Sequence, residues 1–303
     1  MSGRVLILGA SGRFGRNAAE AFWNHGWTVK IFDRERDDLN ELAKDADVIV
    51  NAWNPPYPDW AAQVPRLTAQ VIEAAKVNDA TVIIPGNVYV YGHDNGVVWS
   101  NETPHLATNP LGRIRIEMEA AYRDAGVKTI ILRAGDYIDS EASGNWFDKV
   151  ITKKVQKGTF SAPGPMNVPH AWSWLPDVAR AAVQLADRRH EIGHFEEVLF
   201  PGYTLSLAEL KDLVERATGQ KQKTSRVPWW AFRLASPFWP MGKHLIEMSY
   251  LWRIPHQLDG EKFAQLLPKF RPTDPLTAIA TALHTDVDPN QSVPRSLDHI
   301  PAE

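Results

Sequence analysis

The hydrophobic pattern opens with a run of β-branched and leucine side chains at residues 4–8, closed by glycine, and a helical pattern over 16–25 that stops at Gly26. Strand, glycine turn and helix make a βαβ opening. Apolar runs at 28–32, 48–50, 81–84 and 127–132 predict further strands, with helices over 61–76 and 113–124. Consecutive positions in these runs are apolar, without alternation, as a parallel sheet covered on both faces demands. The predicted fold class is α/β: a doubly wound parallel sheet of Rossmann type.

Past residue 140 the alternation decays. Residues 157–176, rich in Gly, Pro, Trp and His, are expected to form a pocket-lining or lid segment. A helix is predicted over 177–187, a strand over 195–200 and a helix over 206–217, where Ser206 and Glu209 have capping-box spacing and Gly219 stands just past the end. The remainder to Leu283 reads as short helices punctuated by Pro228, Pro237, Pro240, Pro255 and Pro268, and the last 20 or so residues as a polar tail. The expected organisation is a dinucleotide domain over 1–140, with 175–202 returning to it. A smaller, mostly helical substrate lobe takes 141–174 and 203–303.

Composition narrows the function classes. The 303 residues carry 33 basic and 36 acidic side chains, a net charge of −3, which gives no footprint for a nucleic-acid partner. The absence of cysteine removes disulfides, thiolate metal sites and cysteine nucleophiles, and suits a reducing compartment. No apolar run approaches the roughly 18 residues of a membrane span, and the first residues enter a strand without a signal-peptide pattern. A cytoplasmic protein acting on a small molecule, with no membrane partner, is expected.

Gly9-Ala10-Ser11-Gly12-Arg13-Phe14-Gly15 spells G-x-x-G-x-x-G between the first strand and helix. Glycines there let the backbone turn sharply and approach a pyrophosphate, whose charge meets free N–H groups at the positive end of the helix. Gly9, Ser11, Gly12, Arg13, Phe14 and Gly15 are thus candidate cofactor contacts. Asp33, closing the second strand at about the distance where the ribose is read, can accept both adenosine ribose hydroxyls. Arg13 and Arg34 stand where they could clamp a 2′-phosphate, so the expected cofactor is NAD or NADP, with Asp33 tilting the choice to NAD.

That glycine spacing, with Val90-Tyr91-Gly92 after the fourth run, resembles the extended short-chain dehydrogenase/reductase family, in its NAD-dependent epimerase/dehydratase group. Arg133-Ala134-Gly135-Asp136-Tyr137 is similar to that family's arginine-led segment beside the cofactor. Trp174-Leu175-Pro176-Asp177-Val178-Ala179 is similar to its motif opening a late helix. The likeness covers nearly the whole chain. It implies a Rossmann domain, a smaller substrate lobe, often a homodimer, and substrates that are often sugar nucleotides, sometimes steroids or other carbonyl compounds.

The catalytic pattern departs from the family. Asn87 stands where the family has Ser or Thr, and Leu111-Gly112-Arg113-Ile114-Arg115 stands in place of Tyr-x-x-x-Lys. Leucine cannot transfer a proton. Arg115 can keep the lysine's ribose contact and positive field but is a poor acid, and Asn87 can donate to a carbonyl oxygen. Replacement acids are sought in Tyr89 and Tyr91, which share a side if their segment is extended, and more remotely in Tyr137. The expected function is hydride transfer between nicotinamide and a carbinol or carbonyl carbon. An NAD(P)-binding sensor without chemistry is the alternative that Leu111 and Arg115 motivate.

Other constellations carry weaker readings. His190-Glu191-Ile192-Gly193-His194 spells H-E-x-x-H, with Glu215 as a third ligand for a zinc hydrolase, but Gly193 falls where the helix should end, so no metal site is expected. Trp53, Trp146, Trp172 and Trp174 are candidates either for stacking on a ligand or for packing between lobes. His170 is a candidate proton donor or a structural histidine. Trp229, Trp230, Phe232, Phe238 and Trp239 are expected to pack in the core or between lobes, with a membrane-surface or partner-binding patch as the alternative.

Overall fold

Six strands pair into one all-parallel sheet whose inner members carry β-branched or leucine side chains on both faces, while the strand at 195–199 holds Glu196 and Glu197 among its apolar residues. The computed structural model describes residues 3–285, and the predicted polar tail lies almost wholly outside the described residues. The chain runs β1 (Arg4–Leu8), α1 (Arg13–Asn24), β2 (Thr28–Phe32), β3 (Val48–Asn51), α2 (Trp60–Asn78), β4 (Thr81–Gly86), α3 (Pro110–Asp124) and β5 (Thr129–Arg133). It continues through β6 (Asp136–Ile138), β7 (His170–Trp174), α4 (Leu175–Asp187), β8 (Phe195–Leu199), β9 (Tyr203–Leu205), α5 (Leu207–Thr218), α6 (Trp229–Ala235) and α7 (Pro240–Met248), with shorter pieces between.

The strand order is β2-β1-β3-β4-β5-β8. From β1 the chain passes to one neighbour, β2, and then crosses to the other, β3. A crevice therefore opens beyond their carboxyl ends, where doubly wound sheets hold ligands. One face of the sheet packs Leu6, Ile49, Val82 and Ile131 against Val71 of α2 and Tyr122 of α3. The other packs Val5, Val48, Ile83 and Ile130 against Phe22 of α1 and Leu185 of α4. β2 has one neighbour only, and its Ile31 is 57% exposed, so this run is apolar without being buried on both faces.

A second sheet, β9-β7-β6, packs with α5 around Ile138, Phe160, Trp172, Leu210 and Val214. The capping box of Ser206 and Glu209 is formed, and Gly219 ends α5 at φ +63°. The stretch expected to be an irregular lid is different: it contains β7 and a strand at Thr159–Ala162 that pairs with Lys223–Arg226. Main-chain pairing outweighed its Gly and Pro content. α3 starts at Pro110, earlier than the apolar pattern indicated, because proline at the first helical turn needs no N–H partner.

α1 and α4 lie against each other through small side chains, with Ala18, Ala181, Ala182 and Ala186 all fully buried. Replacing Ala182 with leucine should therefore overpack this layer and lower stability by about 1–3 kcal/mol. Urea unfolding checks it: the midpoint falls while the denaturant slope stays unchanged.

Candidate active site

The glycine turn lies at the crevice between β1 and β3. Gly9 has φ +77°, and a Cβ there would come within 3.0 Å of the Ala52 carbonyl that follows β3. A Cβ on Gly15 would lie 2.1 Å from the Gly9 carbonyl oxygen, so α1 can approach β1 this closely only with glycine. Gly12 N–H donates to Gly9 O at 2.9 Å, and no side chain caps the first turn of α1. Phe14 is buried beneath the turn and Ser11 is exposed above it. This uncapped, positive helix end suits a pyrophosphate.

Asp33 sits just past β2, where its carboxylate accepts Glu35 N–H at 3.0 Å and lies 3.5 Å from Arg36 Nε. Arg34 packs over the ring of Trp53. Arg13 donates to the carbonyls of Ser143 and Gly144, at 3.0 and 2.7 Å, which ties α1 to the loop after β6. Arg13 is thereby committed within the fold, whereas Arg34 is exposed on the Trp53 ring.

The crevice continues past the ends of β4 and β5. Asn87 accepts Tyr89 N–H at 3.1 Å through its carboxamide oxygen, and its NH2 has no partner among the described residues. α3 places Leu111 and Arg115 on one face, four residues apart. Leu111 is buried in the sheet-face core, and its N–H donates to Glu247 of α7 at 2.7 Å. Arg115 is buried: its guanidinium stacks over Trp60, 5.0 Å to the centroid, and donates to Pro85 O at 3.3 Å. Its Nε is buried without a partner, and burial lowers its pKa.

Residues 88–91 form a 3-10 turn, so Tyr89 and Tyr91 do not share a side as an extended segment would have them. Tyr91 is fully buried against Trp99, and its hydroxyl donates to Glu197 at 3.2 Å. Tyr89 turns the other way, with its hydroxyl 2.5 Å from that of Tyr57. Tyr57 lies in the loop from β3 to α2, and the proline-rich Asn54-Pro55-Pro56-Tyr57 sequence at the carboxyl end of a central strand was the available signal for it. Burial raises the pKa of both phenols, Tyr89 the more strongly, while Arg115 opposes the rise in each. Tyr137 is half-buried in β6, and burial pushes its phenol up to about 12.

Beneath these groups Arg133 ends β5, wholly buried. It donates to Glu119 of α3 at 2.8 Å, to Glu197 of β8 and to the Asn87 carbonyl. His105 lies 3.4 Å from the other oxygen of Glu197. Burial pushes the Glu197 carboxyl up, but Arg133 and the bonds from His105 and Arg133 overcome it and hold it at about 2.

The remaining candidates have other roles. His170 stacks on Trp252 and bonds Asp136 at 2.7 Å, inside the second lobe. Trp172 and Trp174 are core residues, and Trp172 Nε1 donates to Leu205 O. Trp146 packs on Trp229 and Trp252, and Trp53 lies edge-on to Phe32. The late aromatic cluster is split rather than packed as a whole: Trp229 and Phe232 face inward, while Trp230 and Phe238 are 67% and 93% exposed. α4 ends at Asp187, so His190 and His194 share no helix face. His194 bonds the Gly126 carbonyl, and Glu215 is taken by Lys211 and Lys221. Those positions remove the geometry a zinc hydrolase needs.

The fold is shared with several solved structures. One is MoeE5 in complex with UDP-glucose and NAD, at TM-score 0.72 and 16% identity, covering 93% of this chain and 98% of that one. Another is UDP-glucuronic acid 4-epimerase from Bacillus cereus in complex with NAD, at 0.69 and 17%, covering 92% and 94%. A third is a nucleoside-diphosphate-sugar epimerase from Pseudomonas aeruginosa, at 0.72 and 16%, covering 94% and 97%. No protein-family model and no curated protein sequence matches the chain. No helix among the described residues is long and apolar enough to cross a membrane.

A carboxyl held low stabilises the fold above its ordinary pKa of 4.5, and that contribution is lost as pH falls toward about 2. Glu197→Gln should cost on the order of 3 kcal/mol at neutral pH. The pH dependence of stability between 4.5 and about 2 should flatten, as chemical unfolding at stepped pH would show.

Proposed function

We propose that the chain is an NAD-dependent enzyme of epimerase/dehydratase type, moving hydride between nicotinamide and a carbinol or carbonyl carbon of a nucleotide sugar. The observation that carries this reading is the uncapped helix end behind the Gly9–Gly15 turn, set at the strand-order reversal with Asp33 at the adjacent strand end. The likeness in fold to structures holding NAD and UDP-sugars supports the substrate class.

The glycine cradle fits a dinucleotide: backbone N–H groups of the α1 turn would hold its pyrophosphate, and Asp33 its adenosine ribose. The bound cofactor supplies the hydride acceptor or donor. Among the chain's own residues, the Asn87 amide would donate to the substrate oxygen and Arg115 would hold a positive field beside it. With Arg13 engaged elsewhere and a carboxylate at the ribose position, a 2′-phosphate meets repulsion from Asp33 and loses one of its two candidate clamps.

A non-catalytic NAD sensor is favoured by one observation, the burial of Leu111 at the family's tyrosine position. Turnover of UDP-glucose or UDP-glucuronic acid, followed as exchange or interconversion of the sugar in the presence of NAD, separates the two. Tight NAD binding without turnover of either sugar supports the sensor.

Calorimetry should show NAD binding more tightly than NADP. Asp33→Ala should weaken NAD by roughly 10- to 100-fold, the worth of charge-assisted bonds to the ribose, and narrow the gap to NADP. Equal binding of both by the parent protein would overturn the assignment of Asp33.

A further inference from the structure

We infer that Tyr57, on the loop between β3 and α2, is the acid/base of this site, with Tyr89 as the residue that positions it and shares its proton. The inference rests on the proposed NAD-dependent reaction and deepens it.

Three observations converge. The helical position where the family carries its tyrosine is shut: Leu111 is in the core, and Glu247 covers its N–H. The phenol pair Tyr57–Tyr89, at 2.5 Å, is built on the two loops that leave β3 and β4, the central strands whose carboxyl ends border the nucleotide crevice. Arg115, at the family's lysine position, reaches the same pair through Trp60: its guanidinium lies over that ring, and Tyr57 meets the ring edge-on at 5.1 Å. A phenol, its hydrogen-bond partner and a fixed positive charge are the parts that the departed Tyr-x-x-x-Lys would have supplied.

Either hydroxyl can be the donor in this pair. Burial raises the Tyr89 phenol more strongly than that of Tyr57, and Arg13 adds its positive charge on the Tyr57 side, so Tyr57 is the member assigned the phenolate. The charged groups acting on Tyr57 are Arg115 of α3 and Arg13 of α1, which favour the phenolate, and Asp136 of β6, which opposes it. From α7 the His244 ring packs against Tyr57 edge-on, and His244 itself lies 3.3 Å from Glu247.

In the oxidative direction the substrate's carbinol O–H bond breaks and its proton passes to the Tyr57 phenolate. The C–H bond breaks with its electron pair leaving as hydride to the oxidised nicotinamide, and the carbonyl double bond forms. The reductive direction returns the same proton to the oxygen. An oxidised nicotinamide beside Tyr57 is a cation, so its arrival should lower that phenol's pKa by about 1–3 units, whereas the neutral reduced ring should not.

The molecule offers a clean spectroscopic window for the test. All seven tyrosines have raised phenol pKa values, chiefly through burial, so little phenolate background is expected at the ordinary phenol pKa of 10. Phenolate absorbance is titrated on the full chain alone, with saturating NAD+ and with NADH, for the parent, Tyr57→Phe and Tyr89→Phe, with calorimetry confirming binding in each. The expected result is one phenolate step brought into the window by NAD+ only. It should be absent in Tyr57→Phe and displaced to higher pH in Tyr89→Phe, which loses the stabilising donor.

An NAD+-bound parent with no such step overturns the assignment. So does a step that survives in Tyr57→Phe, including the reversed case in which Tyr89→Phe alone abolishes it. If calorimetry detects neither nucleotide, the functional reading itself fails and takes the assignment with it, an outcome distinct from binding without a shifted phenol.

Discussion

The end of β5 is organised by one buried guanidinium. Arg133 is wholly buried, and its protein acceptors come from α3, β8 and the loop after β4. A charge so enclosed is costly unless it is paired and hydrogen-bonded, and loss of one partner typically costs about 3–5 kcal/mol. The consequence is geometric. Glu119 fixes the rotation of α3 that also aims Arg115, and the bond to the Asn87 carbonyl fixes the turn that separates Tyr89 from Tyr91. The floor of the crevice is therefore set by a buried ion network.

That same network takes up Tyr91. Its hydroxyl serves Glu197, and its ring lies beneath Arg133, so it belongs to the support of the site. Two residues earlier in the chain, Tyr89 escapes the network because the 3-10 turn rotates it out. The difference between a supporting and a candidate reacting tyrosine here is one backbone conformation. Burial acts on both phenols, but only the Tyr89–Tyr57 pair has a second hydroxyl to share a proton with.

The sheet was legible in the sequence because consecutive apolar positions are a local signal of two-sided burial, and the glycine turn because its geometry allows few other residues. What escaped were features fixed by distant pairings. Arg13 is committed to carbonyls some 130 residues away, which no spacing rule reveals. The expected lid became strands through pairing with Lys223–Arg226, also remote. Tyr57 stood in plain view beside Trp53, yet its importance depends on meeting Tyr89, 32 residues on. The resemblance to the family points to Leu111 and Arg115, but a substitution says which group has gone and not which replaces it.

Relocating an acid/base from a helix to a loop raises the question of rigidity, because a mobile phenol cannot hold the geometry that proton transfer requires. The loop answers it with covalent and packing restraints together. Pro55, Pro56 and Pro58 fix the backbone on both sides of Tyr57, and Trp60 Nε1 closes the loop by donating to the Pro55 carbonyl at 2.8 Å. Trp60 is itself pinned: it is buried, with Arg115 on its face and Tyr57 at its edge. The tryptophan thus does for the loop what a helix would do by its own hydrogen bonds, and it also holds Arg115 in a fixed place beside the phenol pair. A helical tyrosine becomes dispensable once an aromatic platform can hold both partners at a fixed separation.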